Sequence, residues 1–212
     1  MFPQRDVVNI LYMALALVVS LSFHEASHAL VADQLGDSTA RSRGRLTLNP
    51  LAHLDPTGTF VMIVSSIAGL GIGWAKPVPV NPYNLRRGFL SRIPNGPLVG
   101  MALVALAGPI SNILLALFTV QVLTLTPLPS QLTFTLLRVN VILAIFNMIP
   151  IPPLDGYRVL LGLLPSGPGY KLAQLEQYGP GVLIVLVFLL PSVLSGILGF
   201  FAPPVLRLIG AA

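Results

Sequence analysis

Two histidines and a glutamate fall within five residues at His24-Glu25-Ala26-Ser27-His28. The spacing is H-E-x-x-H. Residues four apart share one face of a helix, so both imidazoles can reach a single tetrahedral Zn²⁺, with Glu25 beside them as general base. The stretch around them, Val7 to Val31, is apolar. Ionisable groups inside such a stretch are costly and mark function by default. A catalytic zinc keeps three protein ligands and one open position. Of the seven acids, only Glu25 and Asp155 lie in or at the edge of an apolar run. Asp155 follows a break built from Pro150, Pro152 and Pro153 and precedes Gly156. Broken backbone at membrane depth is tolerated where it lines a cavity. Asp155 is therefore the expected third ligand of one Zn²⁺ per chain, against the plainer reading of a Pro-Leu-Asp-Gly surface turn.

The elements that must position these groups follow from composition. The chain has 212 residues, 54% hydrophobic and only 9% charged, with a mean hydropathy of +0.84. A soluble domain is about 25% charged, so a water-soluble globule and a disordered chain are both excluded. A spanning helix takes about 20 apolar residues. The expected fold is an all-α polytopic membrane protein, one domain over 1–212 with about four to five transmembrane helices. The spans are placed near 7–32, 57–74 (short or re-entrant), 98–125, 132–150 and 182–201. Residues 156–178 read as a short amphipathic helix and a loop. Lys76-Pro-Val-Pro-Val-Asn-Pro82 cannot be helix, because proline removes donors and restricts the residue before it. With no cysteine, disulfides and thiolate metal sites are excluded. The basic residues are dispersed, with no basic helix, so nucleic acid is not an expected partner.

The ligands also set a parity. His24 and His28 lie toward the end of the first run, and Asp155 lies just past the fourth. For all three to share a depth, both helices must point the same way. The third run supplies the return, so residues 57–97 must begin and end on one side, as a short helix with a re-entrant extended loop would. That side then carries Arg41, Arg43, Arg45, Lys76, Arg86, Arg87, Arg92, Arg158 and Lys171, against Arg5, Arg138 and Arg207 on the other. Basic residues mark the cytoplasmic side. The expectation is an outside N-terminus and a metal nearer the cytoplasmic face of the cell membrane.

HEASH on a membrane helix, followed by Asn147-x-x-Pro150-x-Pro152-x-x-Asp155-Gly156 on a later one, resembles the site-2 protease family of intramembrane zinc metalloproteases. Leu48-Asn-Pro-Leu-Ala-His53-Leu-Asp-Pro56, Gly73-Trp-Ala-Lys76-Pro77-Val78-Pro-Val-Asn-Pro82 and Ala107-Gly108-Pro109-Ile110-Ser111-Asn112 carry the likeness further, over residues 23–158. The resemblance implies that His24, His28 and Asp155 bind zinc and that Glu25 activates the water. It places Asn147 near the active site, where it helps engage substrate, and gives Asn112 a structural or substrate-positioning role. Some members carry a PDZ or CBS domain, for which this chain has no room. Implied partners are the lipid bilayer and a transmembrane protein or peptide substrate.

Several residues keep two readings. Lys76 to Val80 alternates Pro with Val and could hold an unwound substrate by β-addition, or be a rigid linker. Ser27, Asn112 and Asn147 could line a polar path for water or serve helix packing. His53 could approach the site, or stabilise its loop beside Asp55-Pro56, which reads as a helix start. Two other functions compete with a protease. A structural zinc would need no general base at Glu25. A zinc transporter would more often show paired repeats with broken helices, and no repeat is visible.

Overall fold

The computed structural model describes residues 7–58, 60, 75–125 and 130–211. Seven α-helices organise them: α1 (Val7–Gln34), α2 (Gly96–Leu125), α3 (Ser130–Asn147), α4 (Asp155–Leu163), α5 (Ser166–Ala173), α6 (Gly179–Ile184) and α7 (Pro191–Leu208), besides a single turn at Thr39–Ser42. No strand occurs among the described residues, only an isolated bridge between Leu54 and Ala75. Five helical stretches are long and apolar enough to cross a membrane: Val7–Gln34, Gly96–Val122, Ser130–Asn147, Ser166–Leu189 and Pro191–Leu208. The protein is thus an all-α bundle with the makings of a multi-pass membrane protein. The expected span at 57–74 falls almost wholly outside the described residues.

The bundle is built on α1, α2 and α3. Near the starts of α1 and α3, Gln131 donates to Asn9. Midway, Leu17 and Val139 share a buried cluster. At the far ends, His24 and His28 of α1 meet Asp155 just beyond α3. The two helices therefore run in the same direction, as the ligand parity requires. Between them α2 runs the opposite way: Val104 lies level with His28, and Asn112 with His24 and Ser20. The connection from α1 to α2 must accordingly leave and return at one end. Its described parts do so, since Lys76 N–H donates to the His53 carbonyl at 2.7 Å and Arg87 N–H to the Leu35 carbonyl at 3.1 Å.

The last apolar run, read from the sequence as one span over 182–201, is two helices. A π-helical turn at Val185–Leu189 continues α6, and the chain breaks at Leu190, with φ −123° and ψ 45°. Pro191 is the cause: its ring clashes with an α conformation at the residue before it. The preceding span starts earlier than hydropathy suggests, because α5 and the 3₁₀ turn Gln174–Tyr178 lead into α6 without an extended break. The expected amphipathic helix is α4, which buries Tyr157 and Leu161 against Leu98 of α2.

A buried carboxylate ties the loops to the end of α1. Asp37 is fully buried and accepts from Thr39 Oγ1 at 2.5 Å, Asn81 N–H at 2.7 Å and Asn84 Nδ2 at 2.9 Å. Burial pushes this carboxyl up, but the hydrogen bonds from Thr39, Asn84 and Asn81 outweigh that and hold it below the ordinary value. A carboxylate with a depressed pKa contributes stability above its unfolded value and loses it as pH falls through the folded one. Asp37→Asn should therefore destabilise the detergent-solubilised protein at neutral pH by about 1–3 kcal/mol. The gap to wild type should close on acidification below the ordinary carboxylate range, as read by thermal unfolding.

Candidate metal centre

His24 and His28 lie one turn apart on the inward face of α1, both buried. Their rings are perpendicular, with centroids 4.5 Å apart. This closeness to α2 depends on Gly108, where a Cβ would lie 2.4 Å from His24 Cε1 and 2.6 Å from His28 Cε1. The Ala-Gly-Pro motif thus presents a bare backbone to two imidazoles. Asp155 arrives from the other side. After Asn147 the chain turns through Met148 to Leu154, and Asp155 is the first residue of α4. Gly156 lets α4 fold back onto the end of α3, since a Cβ there would lie 2.2 Å from the Met148 carbonyl oxygen.

Hydrogen bonds fix what the ligands present to one another. His28 Nδ1 lies 2.7 Å from the carbonyl oxygen of Val104. A carbonyl can only accept, so Nδ1 carries a proton and, in the neutral ring, Nε2 keeps the lone pair. His24 Nδ1 lies 2.7 Å from Asn112 Oδ1, with the same consequence. Both Nε2 atoms then face Asp155 Oδ2, at 3.1 Å from His24 and 3.4 Å from His28. That oxygen is buried and has no hydrogen-bond donor. Three lone pairs converge on one point, with their atoms all within 4.8 Å of one another. Two ligands of one tetrahedral Zn²⁺ stand about 3.3 Å apart, given bonds of about 2.0–2.1 Å. The two imidazole–carboxylate separations fit that value, and the Nδ1 bonds are the partners that metal-bound histidines use.

Glu25 is half-buried beside this point, and its Oε2 accepts the Val78 N–H at 3.1 Å. Val78 belongs to an extended strap, Lys76 to Asn81, pinned at both ends. Arg45, itself buried, donates to the Lys76 carbonyl, Lys76 N–H donates to His53, and Asn81 N–H donates to Asp37. Prolines 77 and 79 have no N–H, so Val80 keeps the strap's one amide donor without a partner among the described residues. The strap is extended as its composition predicts, but its amide donors other than Val80's are spent inside the protein.

The remaining sequence candidates separate. Asn112 is fully buried and bonded to His24. Asn147 bonds back to the Leu143 carbonyl of its own helix at 3.0 Å, and Ser27 back to Phe23 at 2.7 Å. Neither is bonded to the ligands among the described residues. His53 is buried, lies 2.8 Å from the Thr47 carbonyl through Nε2, and braces its loop. Asp55 caps the following turn by accepting Gly58 N–H at 2.8 Å. Sequence reasoning missed Asp37, the brace made by Arg45, and Asn140, a fully buried amide bonded to Asn112 at 2.9 Å. An amide in the middle of the apolar stretch 132–149, away from the motif that holds Asn147, was the available signal for Asn140. For Asp37 the partners that tie it to the later loop, Asn81 and Asn84, are distant in the chain.

Comparisons with known proteins agree with this chemistry. The chain is 40% identical over 188 residues to a Bacillus subtilis protein provisionally named zinc metalloprotease YwhC, covering 82% of this chain and 79% of the relative. It is 32% identical over 183 residues to a Mycolicibacterium smegmatis protein provisionally named zinc metalloprotease Rip2, covering 84% of this chain and 66% of that one. It is 30% identical over 163 residues to the Methanocaldococcus jannaschii protein MJ0611, whose provisional name is again zinc metalloprotease, covering 75% of this chain and 74% of the relative. No family model matches the chain, and no solved structure matches it. With a buried His₂Asp donor set, a glutamate at its side and relatives of this kind, the chain belongs to the zinc metalloprotease family of YwhC, Rip2 and MJ0611.

Proposed function

We propose that the chain is a zinc-dependent endopeptidase of the site-2 protease type, hydrolysing peptide bonds in or beside the transmembrane segments of other membrane proteins. The observation that carries this reading is the convergence of His24, His28 and Asp155 at the ends of apolar helices, with Glu25 adjacent. His24, His28 and Asp155 would hold one zinc through Nε2, Nε2 and Oδ2. A zinc bound there supplies a Lewis acid and acidifies a coordinated water to near neutrality. Glu25 is the proton carrier. Its Oε2 is engaged by Val78 N–H, which leaves Oε1 to take the proton from the attacking water and pass it to the leaving amine.

A helical substrate hides its carbonyls in its own hydrogen bonds and must unwind before it can react. The strap is the natural rail for the unwound piece, since Lys76 and Pro77 are exposed and Val78 touches Glu25. Because its amide donors are nearly all used, the strap would hold a substrate through its carbonyl oxygens, which accept from the substrate's N–H groups. The end of the bundle that carries the ligands also carries Arg41, Arg43, Arg45, Arg86, Arg87 and Arg92. The positive-inside tendency puts that end, and the catalysis, at the cytoplasmic face.

Wild type and Glu25→Gln, purified in detergent, should both carry close to one zinc per chain, and only the wild type should cleave synthetic transmembrane peptides. The loss in Glu25→Gln should be at least about 100-fold. A zinc-free wild type would refute the metal site, and cleavage by Glu25→Gln at the wild-type rate would refute its base. Val78→Pro deletes the amide that orients Glu25. Measured against Val78→Ala, which keeps that amide, it should lower kcat by about 10- to 100-fold with zinc retained. Since the chain lacks cysteine, single Arg43→Cys and Arg92→Cys variants report topology directly. Both should react with an impermeant thiol reagent only from the cytoplasmic side; labelling from opposite sides would overturn the arrangement.

A further inference from the structure

Behind His24 the structure contains a chain of amides that reaches all three central helices. Asn112 of α2 accepts from His24 Nδ1 through Oδ1 at 2.7 Å. Its Nδ2 donates to the Ser20 carbonyl of α1 at 3.2 Å and to Asn140 Oδ1 of α3 at 2.9 Å. Asn140 Nδ2 in turn donates to the Leu136 carbonyl of its own helix at 2.8 Å. Asn112 and Asn140 are both fully buried. We infer that Asn140 is a positioning residue for the metal site: acting through Asn112, it sets which nitrogen of His24 is free to bind metal. This rests on the reading of His24 as a ligand.

The argument is one of direction. A primary amide has a donor end and an acceptor end, and rotation by half a turn exchanges them. Asn112 turned over would aim its NH₂ at His24 Nδ1. That nitrogen would then have to accept, the ring proton would move to Nε2, and the nitrogen facing Asp155 could no longer take a metal. Asn112 is kept from turning by two acceptors at its NH₂ end. One is the Ser20 carbonyl, which cannot donate but lies at the longer distance. The other is Asn140 Oδ1, whose own orientation is set because the Leu136 carbonyl can only accept. The polarity of the chain thus starts at two backbone carbonyls and ends as a lone pair on His24 Nε2. His28 has no such dependence, because a backbone carbonyl faces its Nδ1 directly. An interhelical amide pair can also serve simply as glue between membrane helices, and the two roles predict different results.

The test compares wild type, Asn140→Leu and Asn140→Asp. Ionised or not, the aspartate keeps an acceptor oxygen for Asn112 Nδ2, as the asparagine does. Two quantities are read: zinc affinity, by competition with a chelator, and the ¹⁵N chemical shifts of the histidine rings in metal-free protein at alkaline pH. Asn140→Leu should weaken zinc binding by about 10- to 100-fold and convert His24 to a mixture of tautomers, with His28 unchanged. Asn140→Asp should restore both readouts. If Asn140→Leu does not fold, Asn140→Ala carries the same comparison. The proposal is overturned if the variants keep wild-type affinity and a single His24 tautomer, or if His24 and His28 are disturbed alike and aspartate rescues neither. Failure of the underlying reading looks different: the wild type itself would bind no zinc, while the ring shifts would still report the dependence of His24 on Asn140.

Discussion

Two imidazole Nε2 atoms and the Asp155 carboxylate, directed at one buried point, are the constraint around which the central helices are arranged. Burying a carboxylate and two imidazoles costs solvation unless a cation or a proton lies between them. Such a cluster persists only if each ligand is held from behind. Val104 and Asn112 hold the imidazoles, and Gly108 lets both rings lie against α2. Gly156 lets α4 double back on α3, which delivers the carboxylate. The parallel course of α1 and α3, with α2 antiparallel between them, is the arrangement that brings the ends of two helices to one depth.

A second layer of structure works on Glu25 rather than on the ligands. The strap Lys76 to Asn81 has too few donors to join a sheet and is instead tied down at its ends by His53, Arg45 and Asp37. Its central amide, from Val78, is directed at the Glu25 carboxylate. Loop residues distant from Glu25 in the chain, such as His53 and Asp37, thereby become part of its support. The buried state of Asp37, with a hydrogen bond on each carboxylate oxygen, follows from that duty.

The apolar exterior suits a bilayer, and it explains why several hydroxyls and amides in the helices are paired within the protein. Water is not present in the hydrocarbon region to satisfy stray donors, so amides and hydroxyls turn to backbone carbonyls one turn back or to one another. Ser22, Ser27, Thr119, Asn140 and Asn147 all bond to a carbonyl four residues earlier. Asn112 has its helix surface against His24 instead, and its amide bonds reach across the bundle.

The sequence by itself determined the membrane class, the expected donor set and the relative direction of the helices that carry it. Ionisable residues in an apolar chain are few, and each must be explained, so His24, Glu25, His28 and Asp155 could be read almost by exclusion. Their parity then constrained the topology, and the described ends of the α1–α2 connection agree with it. The division of the last apolar run at Leu190 was written in Pro191, but hydropathy averages over a single proline and cannot see it. Only the tertiary structure decided which way each amide points, that Asn140 stands behind Asn112, that Asp37 closes the loops, and that the strap's amide faces Glu25. Those are contacts between residues 28 to 92 positions apart. Hydrogen-bond direction across such separations has no periodicity in the chain and exists only once the helices are packed.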